Sequence, residues 1–514
     1  MAHDPITAPT TKVANHREPR FVHPDQEAAA RAKLDAFAAR NPDTGGRPNI
    51  LVILFDDVGW GDFGCYGGGV MAGAPTPNID RLARDGLLLT SCYSEPSCTP
   101  SRASLMTGRY PMRHGLLIPP MYGMPGGLDG EVTLAQLLSD AGYATQAVGK
   151  LHMGENLESQ PQYAGFDDFY GFLSVSDMYT EWRDPYFFPE VVYSEERSDW
   201  IRNEPFNKCF VHAARGGETE NVEEVTVPVL SLLDDKWADY SLEFIRRMGA
   251  PPAAERTPWF LYHCTRGAHF DNYPHERFLG SSPAKHPYKD TIIELDDIVG
   301  RLVATLEETG QLENTMIFLS SDNGPEMSSW PDSAFTPFRS AKGSTWEGGQ
   351  RVPGIVVWPG TIEADRVSDG LFSQMDLFST MLRLAGVSDA TPSDRFIDGV
   401  DQTSFLLGGD SHSNRKHLYY WLGSTLSALR VGEWKFMIAS TSDDDRDVHN
   451  PSGFSGVTQK YTYARLYNLY LDPKESKSYM IRKLPYVEAF QKAMFAHVGS
   501  FAKYPPKQVV GGVG

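Results

Sequence analysis

Apolar positions along this chain fall into two rhythms. The stretch "NILVILFDD" (Asn49–Asp57) is a continuous apolar run of strand length that stops at two carboxylates. Runs of that kind are strands buried on both faces, as in parallel sheets. Three other segments share the grammar. "YATQAVGKLHMG" predicts a strand ending near Gly149 that releases Lys150 and His152. "PWFLYHCTRGAHF" predicts one ending near Cys264 that releases His269, and "NTMIFLSSDNG" one ending near Ser321 that releases Asp322 and Asn323. Between them lie stretches with helical spacing: "TPNIDRLARDGLLL", "TLAQLLSDAGY", "YKDTIIELDDIVGRLVATLEETG" and "SQMDLFSTMLRLAGV". Strand alternating with helix predicts an α/β fold on a large, mostly parallel sheet flanked by helices.

The pattern changes at both ends. Residues 1–46 are polar with scattered proline, and "EAAARAKLDAFAAR" has helix propensity but little apolar face. They read as an N-terminal arm that wraps the body or a partner subunit. Residues 47–410 form the main α/β domain. From 411 to 514, "HLYYWL", "LSALRVGEWKFMIA" and "ARLYNLYLDP" predict short antiparallel strands, followed by a helix around "VEAFQKAMFAHV". This is a smaller C-terminal subdomain with its own short antiparallel sheet. The aromatic-rich region from Phe166 to Phe210 fits neither rhythm and reads as an inserted loop region.

Composition narrows the function classes. The 514 residues are 41% hydrophobic and 22% charged, ordinary for a globular protein. The net charge of −19 disfavours nucleic acid and anionic membrane surfaces as partners, because both need a basic face. It leaves room for a small anionic substrate in a locally positive site. The start of the chain lacks the apolar core of a secretory signal, and no run approaches the ~18 residues of a membrane span. The expectation is a cytoplasmic chain with no membrane partner. The 5 cysteines fit neither a disulfide framework nor a four-cysteine zinc site, although a Cys92–Cys98 pair is conceivable.

In open α/β sheets ligands bind beyond the carboxyl ends of the strands. The polar groups above all sit at such ends. An Asp pair after a strand is often only a turn cap, and "SDNG" alone reads as a turn, but four strand ends together point to one site. Asp56, Asp57, Asp322 and Asn323 offer only oxygen ligands, which suits Ca²⁺ or Mg²⁺ better than Zn²⁺. Arg102, Lys150, His152, His269 and Lys342 would surround an anion, and a cation with basic side chains makes a site for a tetrahedral oxyanion such as sulfate or phosphate. In "SCTPSRASLMTGRYP" (Ser97–Pro111), Pro100 favours the first turn of a helix. That places Cys98 at a helix N-terminus, where a thiolate is expected to have a lowered pKa. A thiolate beside an oxygen-ligated hard cation is nevertheless a poor match.

These residues resemble the type I, formylglycine-dependent sulfatase family. "CTPSRASLMTGRYP" is similar to the Cys-x-Pro-Ser-Arg signature that directs conversion of the cysteine to formylglycine. "NILVILFDDVGWGDFGCYG", "GYATQAVGKLHMG", "SSDNGPE" and "AKGSTWEGGQRVPGIVVWPG" resemble the segments bearing its metal ligands and basic residues. The likeness spans about residues 47–410, and "LYNLYLDPKESKS" resembles the family's C-terminal pattern. The resemblance implies hydrolysis of sulfate monoesters, aryl or small alkyl, within an alkaline-phosphatase-like superfamily. Cys98, as formylglycine, would be a hydrated aldehyde that joins Asp56, Asp57, Asp322 and Asn323 around Ca²⁺, or Mg²⁺ as second choice, and attacks sulfur. Arg102 would hold the modified residue, and Lys150 would polarise sulfate oxygens. His269 and Lys342 would contact sulfate and leaving oxygen, with His269 the proton donor, while His152 would take a proton from the remaining hydroxyl. His275 lies close in sequence, and His269 is preferred because it is nearer the strand end. A formylglycine-generating enzyme is the implied maturation partner, and the reading permits a homo-oligomer. A phosphonate monoester or phosphodiester hydrolase on the same fold is the alternative, since both ester classes carry one negative charge. Aromatics from Tyr179 to Phe188 are candidates for an apolar leaving-group pocket.

Overall fold

The computed structural model describes residues 4–120, 125–175, 184–185, 189–203, 208–326, 335–441 and 458–507. Among these, a ten-stranded sheet forms the middle of the main domain. At its centre lie four parallel neighbours: β1 (Asn49–Phe55), β2 (Ala144–Lys150), β3 (Trp259–Cys264) and β4 (Thr315–Ser321), in the spatial order β4-β1-β3-β2. Register is exact enough to align the ends: Leu54 pairs with Cys264 on one side and Ser320 on the other. Asp168–Phe172 continues the parallel set beyond β2, antiparallel pairings follow on both sides, and the edge strand Arg366–Ser368 pairs parallel with Leu87–Leu89.

The apolar run of β1 explains the layering. Ile50, Val52 and Leu54 enter one core while Leu51, Ile53 and Phe55 enter the other, all with no exposure. Side chains alternate across a strand, so a run without polar interruption needs cover on both faces. On the first face lie α1 (Pro24–Arg40), α2 (Cys98–Thr107) and the helices Leu134–Asp140 and Asp376–Leu384; on the second lie Pro77–Arg84, Leu233–Gly249 and α3 (Pro287–Glu308). The C-terminal subdomain is a four-stranded antiparallel sheet from Leu418 to Asn468, packed by α4 (Leu484–Lys503). No helix among the described residues is long and apolar enough to cross a membrane.

Three sequence expectations change here. The stretch "TPNIDRLARDGLLL" splits: its helix ends at Arg84 and Leu87–Leu89 is a strand, because Gly86 breaks the helix and Leu87 and Leu89 bury in the sheet. The region from Phe166 is not one loop, since Asp168–Phe172 is a sheet strand whose Phe169 and Phe172 enter the core. Its aromatics are packing groups there. Tyr179 and Phe188, with most residues between, lie outside the described residues. The arm also does more than wrap: Ala30 and Phe37 of α1 are fully buried, and Phe37 meets Trp358 edge-on at 4.7 Å. Leu34, partly buried between them, completes the face, but one alanine, one leucine and one phenylalanine make a weak apolar stripe in sequence.

Candidate active site

Neighbouring strand ends bring the polar groups together. Asp56 and Asp57 leave β1, Lys150 closes β2 with His152 just beyond it, His269 follows β3, and Asp322 and Asn323 leave β4. The approach of β2 to β3 is close: a Cβ on Gly149 (φ +90°) would lie 1.7 Å from the Cys264 carbonyl oxygen, so only glycine fits beside Lys150. Asp57 and His152 hold left-handed backbone, φ 61° and 53°, a conformation costing roughly 1–2 kcal/mol for a residue with a Cβ. Such strain persists where surroundings fix it. Here the Asp57 amide donates to Asp322 Oδ1 (3.2 Å) and the Val58 amide to Ser321 Oγ (2.9 Å).

The three carboxylates and three cations interlock. Lys150 Nζ donates to Asp56 Oδ2 (2.6 Å), and Lys342 Nζ to Asp57 Oδ2 (2.8 Å). Arg102 donates through Nε (3.0 Å) and Nη2 (2.8 Å) to Asp322 Oδ2 and through Nη1 to the Lys150 carbonyl (2.7 Å). His269 Nε2 stands 3.7 Å from Asp57 Oδ2, with Nδ1 against the Phe270 carbonyl at 2.7 Å. His275 is elsewhere, its Nδ1 accepting from the Arg277 amide. Asn323 Nδ2 donates to Asp57 Oδ1 (2.6 Å).

Cys98 opens α2 and is buried, with Sγ 3.2 Å from His152 Nδ1. The Thr99 hydroxyl donates to the His152 carbonyl (2.9 Å), locking that loop to the helix mouth. Gly108, at φ 67°, ends α2, and a Cβ there would strike Phe378. The described cysteines are all free thiols, so Cys98 is not paired with Cys92. The expected lowering of the Cys98 pKa is also overturned. Burial pushes the thiol up, and Lys150 and Lys342 offset this only in part. A thiol at this position is a poor nucleophile. His152 is held well below the usual imidazole range, first by burial and then by Lys150 and Arg102, so the neutral ring is the stable form. Burial opposes the charge on Lys150 and Lys342, yet Asp56 and Asp57 respectively prevail and raise both. Asp322 is raised by burial and by Asp56.

The donor set fits a hard cation. Ligand oxygens of Asp56, Asp57 and Asp322 lie within 4.8 Å of one another. Asp56 Oδ1 and Asn323 Oδ1 are buried without a hydrogen-bond partner and have room for one. An all-oxygen set of this kind suits Ca²⁺ or Mg²⁺.

Sequence reasoning passed over Glu326, Thr99 and Ser321. Glu326 is buried, with Oε2 3.8 Å from Lys342 Nζ. Its signal was a carboxylate four residues after Asp322, in the same turn. Thr99 and Ser321 carry no such signal, because their role is a single hydrogen bond that only the fold reveals.

Fold and site together have the character of a hydrolase for esters of a tetrahedral oxyanion, with a carboxylate cluster that could hold a metal ion. Comparison with known proteins fixes the family. The Sulfatase family model matches residues 48–387, and a sulfatase C-terminal domain model matches residues 427–502. The chain belongs to the sulfatase family, whose members are sulfuric ester hydrolases. It is 38% identical over 417 residues to the N-acetylgalactosamine-6-sulfatase of Canis lupus familiaris, covering 79% of this chain and 73% of that one. To arylsulfatase G of Rattus norvegicus it is 31% identical over 458 residues, covering 84% and 82%. Its structure superposes on the PsFucS1 sulfatase of Pseudoalteromonas sp. with a TM-score of 0.90 at 38% identity, covering 98% of this chain and 99% of that one.

Proposed function

We propose that this sulfatase cleaves a sulfate monoester on a sugar hydroxyl, with Cys98 converted to formylglycine and Ca²⁺ held by Asp56, Asp57, Asp322 and Asn323. The observation that carries the reading is the place of Cys98. Its side chain lies at the helix mouth against His152, among carboxylates and cations whose partners are already fixed. An oxygen nucleophile is needed there, and the raised thiol does not supply one. The hydrated aldehyde would supply that oxygen, and the bound cation would offset the charge of the carboxylates and draw electron density from the sulfate. The neutral His152 ring stands next to the modified side chain and is placed to accept its proton. Lys150 and Lys342 present ammonium groups to sulfate oxygens, and Arg102 locks α2 to β2 and to Asp322. His269 is positioned to give a proton to the leaving alcohol. The sugar assignment is supported by the likeness to N-acetylgalactosamine-6-sulfatases; the sequence alone pointed to an aryl or small alkyl sulfate and named no sugar.

Two measurements test this. Mass spectrometry of the tryptic peptide Asp85–Arg102, from protein made with its maturation machinery, should show aldehyde at Cys98 and an intact thiol at Cys92. An unconverted Cys98 in fully active enzyme would overturn the mechanism. Parallel assays should rank N-acetylgalactosamine 6-sulfate and 4-nitrophenyl sulfate above 4-nitrophenyl phenylphosphonate in kcat/KM. The reverse ranking would assign the site to phosphonate esters, and a preference for the aryl sulfate over the sugar would remove the sugar assignment.

A further inference from the structure

Lys342 reaches Asp57 from a segment with no regular structure between Phe338 and Trp346. An irregular segment has no ladder of its own to hold a side chain to within a fraction of an ångström. Its main chain is held at Lys342 and Gly343 by the Pro325 and Pro96 carbonyls (3.0 and 2.6 Å), and on both sides of that point it is tied down by the C-terminal subdomain. On the N-terminal side, Lys474 Nζ donates to the Phe338 carbonyl (2.8 Å), and Arg339 Nη1 donates outward to the Glu475 carbonyl (3.0 Å). On the C-terminal side, Lys435 Nζ donates to the Thr345 carbonyl (2.7 Å) and to Glu347 Oε1 (3.1 Å), while Glu475 Oε2 accepts the Glu347 amide (2.8 Å). Lys435 and Glu475 are themselves an ion pair at 2.8 Å, and Ser427 and Thr345 share a hydroxyl contact at 2.7 Å. Lys435, Glu475 and Glu347 have no solvent exposure.

We propose that Lys435 and Glu475 are positioning residues for the hydrolytic reaction: from the C-terminal subdomain they fix the 338–347 segment and through it the Lys342 ammonium. Neither touches the carboxylate cluster. A buried ion pair is weak evidence for stability, because desolvation offsets much of the attraction. Polar groups at this cost are more economically explained by the carbonyl and amide they fix beside Lys342. A displacement of about 1 Å at a group that contacts the reacting centre costs on the order of 10²-fold in rate. The inference rests on the assignment of Lys342 to the sulfate.

The test is a double-mutant cycle on matured, Ca²⁺-loaded enzyme, reading kcat/KM for 4-nitrophenyl sulfate and the dissociation constant of inorganic sulfate. Lys342→Ala is expected to weaken both. Lys435→Met and Glu475→Gln should each lower kcat/KM by about 10- to 100-fold, yet change it less than about twofold in the Lys342→Ala background, because residues acting through one group are not additive. Ser427→Ala, which removes one hydroxyl contact, should give a smaller loss that likewise vanishes in that background. It carries the test if the buried-charge variants do not fold. Equal losses in both backgrounds, or activities within about twofold of wild type, would overturn the positioning role. A Lys342→Ala enzyme with unchanged turnover and sulfate affinity would instead overturn the assignment of Lys342 and the positioning role with it.

Discussion

Asp322 shows how one side chain serves both chemistry and folding. It belongs to the oxygen cluster, and its Oδ2 also accepts both Nε and Nη2 of Arg102, which is fully buried. Asp322→Asn keeps the shape but leaves that guanidinium short of a counter-charge. Breaking a buried pair on one side costs about 3–5 kcal/mol, so a markedly lower Tm is expected by calorimetry of the chelated protein, beyond the loss of affinity for the metal ion this cluster is proposed to hold. An unchanged Tm would mean that Asp56, 3.6 Å from the same Nη2, takes over. His269 makes a sharper chemical prediction. If it protonates the leaving oxygen, His269→Gln should cost about 10²–10⁴-fold on an alkyl sulfate and far less on 4-nitrophenyl sulfate, whose leaving group needs little protonation. Equal losses on both esters would sink the proton-donor role. At this scale the sequence was highly informative for Asp56, Asp57, Asp322 and Asn323, because strand termini put them on one edge whatever the loops do. It was misleading for the Cys98 thiol. The helix mouth favours the anion, but how deeply Cys98 is buried depends on what packs over it.

Among elements, α3 carries a buried acid that the reaction does not use. Glu294 accepts the His275 amide at 2.9 Å, and its pKa is pushed up to about 8 by burial, then by the neighbouring Asp234. Because the folded pKa is above the unfolded one, the associated stability is fully present below about pH 4.5 and is lost as pH rises through about 8. Glu294→Gln keeps an acceptor for the amide and has no charge to bury. Its Tm advantage over wild type should therefore grow from pH 5 to pH 8 and level off above, as read by a pH series of thermal melts. A flat difference would show that Glu294 ionises normally. The helices and strands of the main domain were mostly readable from periodicity. Leu87–Leu89 was not, because three leucines after a helical pattern extend that pattern in sequence, and only pairing with Gly354–Val357 and Arg366–Ser368 makes them a strand.

Over the whole molecule, the arm and the C-terminal subdomain are structural members of the body. Phe37 fills the core beside Trp358, Ile6 joins the core of the C-terminal subdomain, and Glu18 meets His417 at 3.3 Å. Deleting residues 1–46 should expose both patches. The expected result is a lower Tm and increased binding of a hydrophobic dye, whereas an unaltered melt would return the arm to a peripheral role. The sequence by itself determined the parallel α/β sheet, the strand ends that gather the candidate site and the oxygen character of its candidate metal ligands. Those features follow from local rules: the period of apolar residues fixes an element, its length fixes where polar residues emerge, and donor atoms fix which cation they suit. Only the tertiary structure decided that Cys98 is a raised thiol against His152, that α1 belongs to the core, and that Lys342 is steadied from Lys435 and Glu475. These depend on contacts between residues far apart in the chain, where burial and pairing are set by what the fold brings alongside.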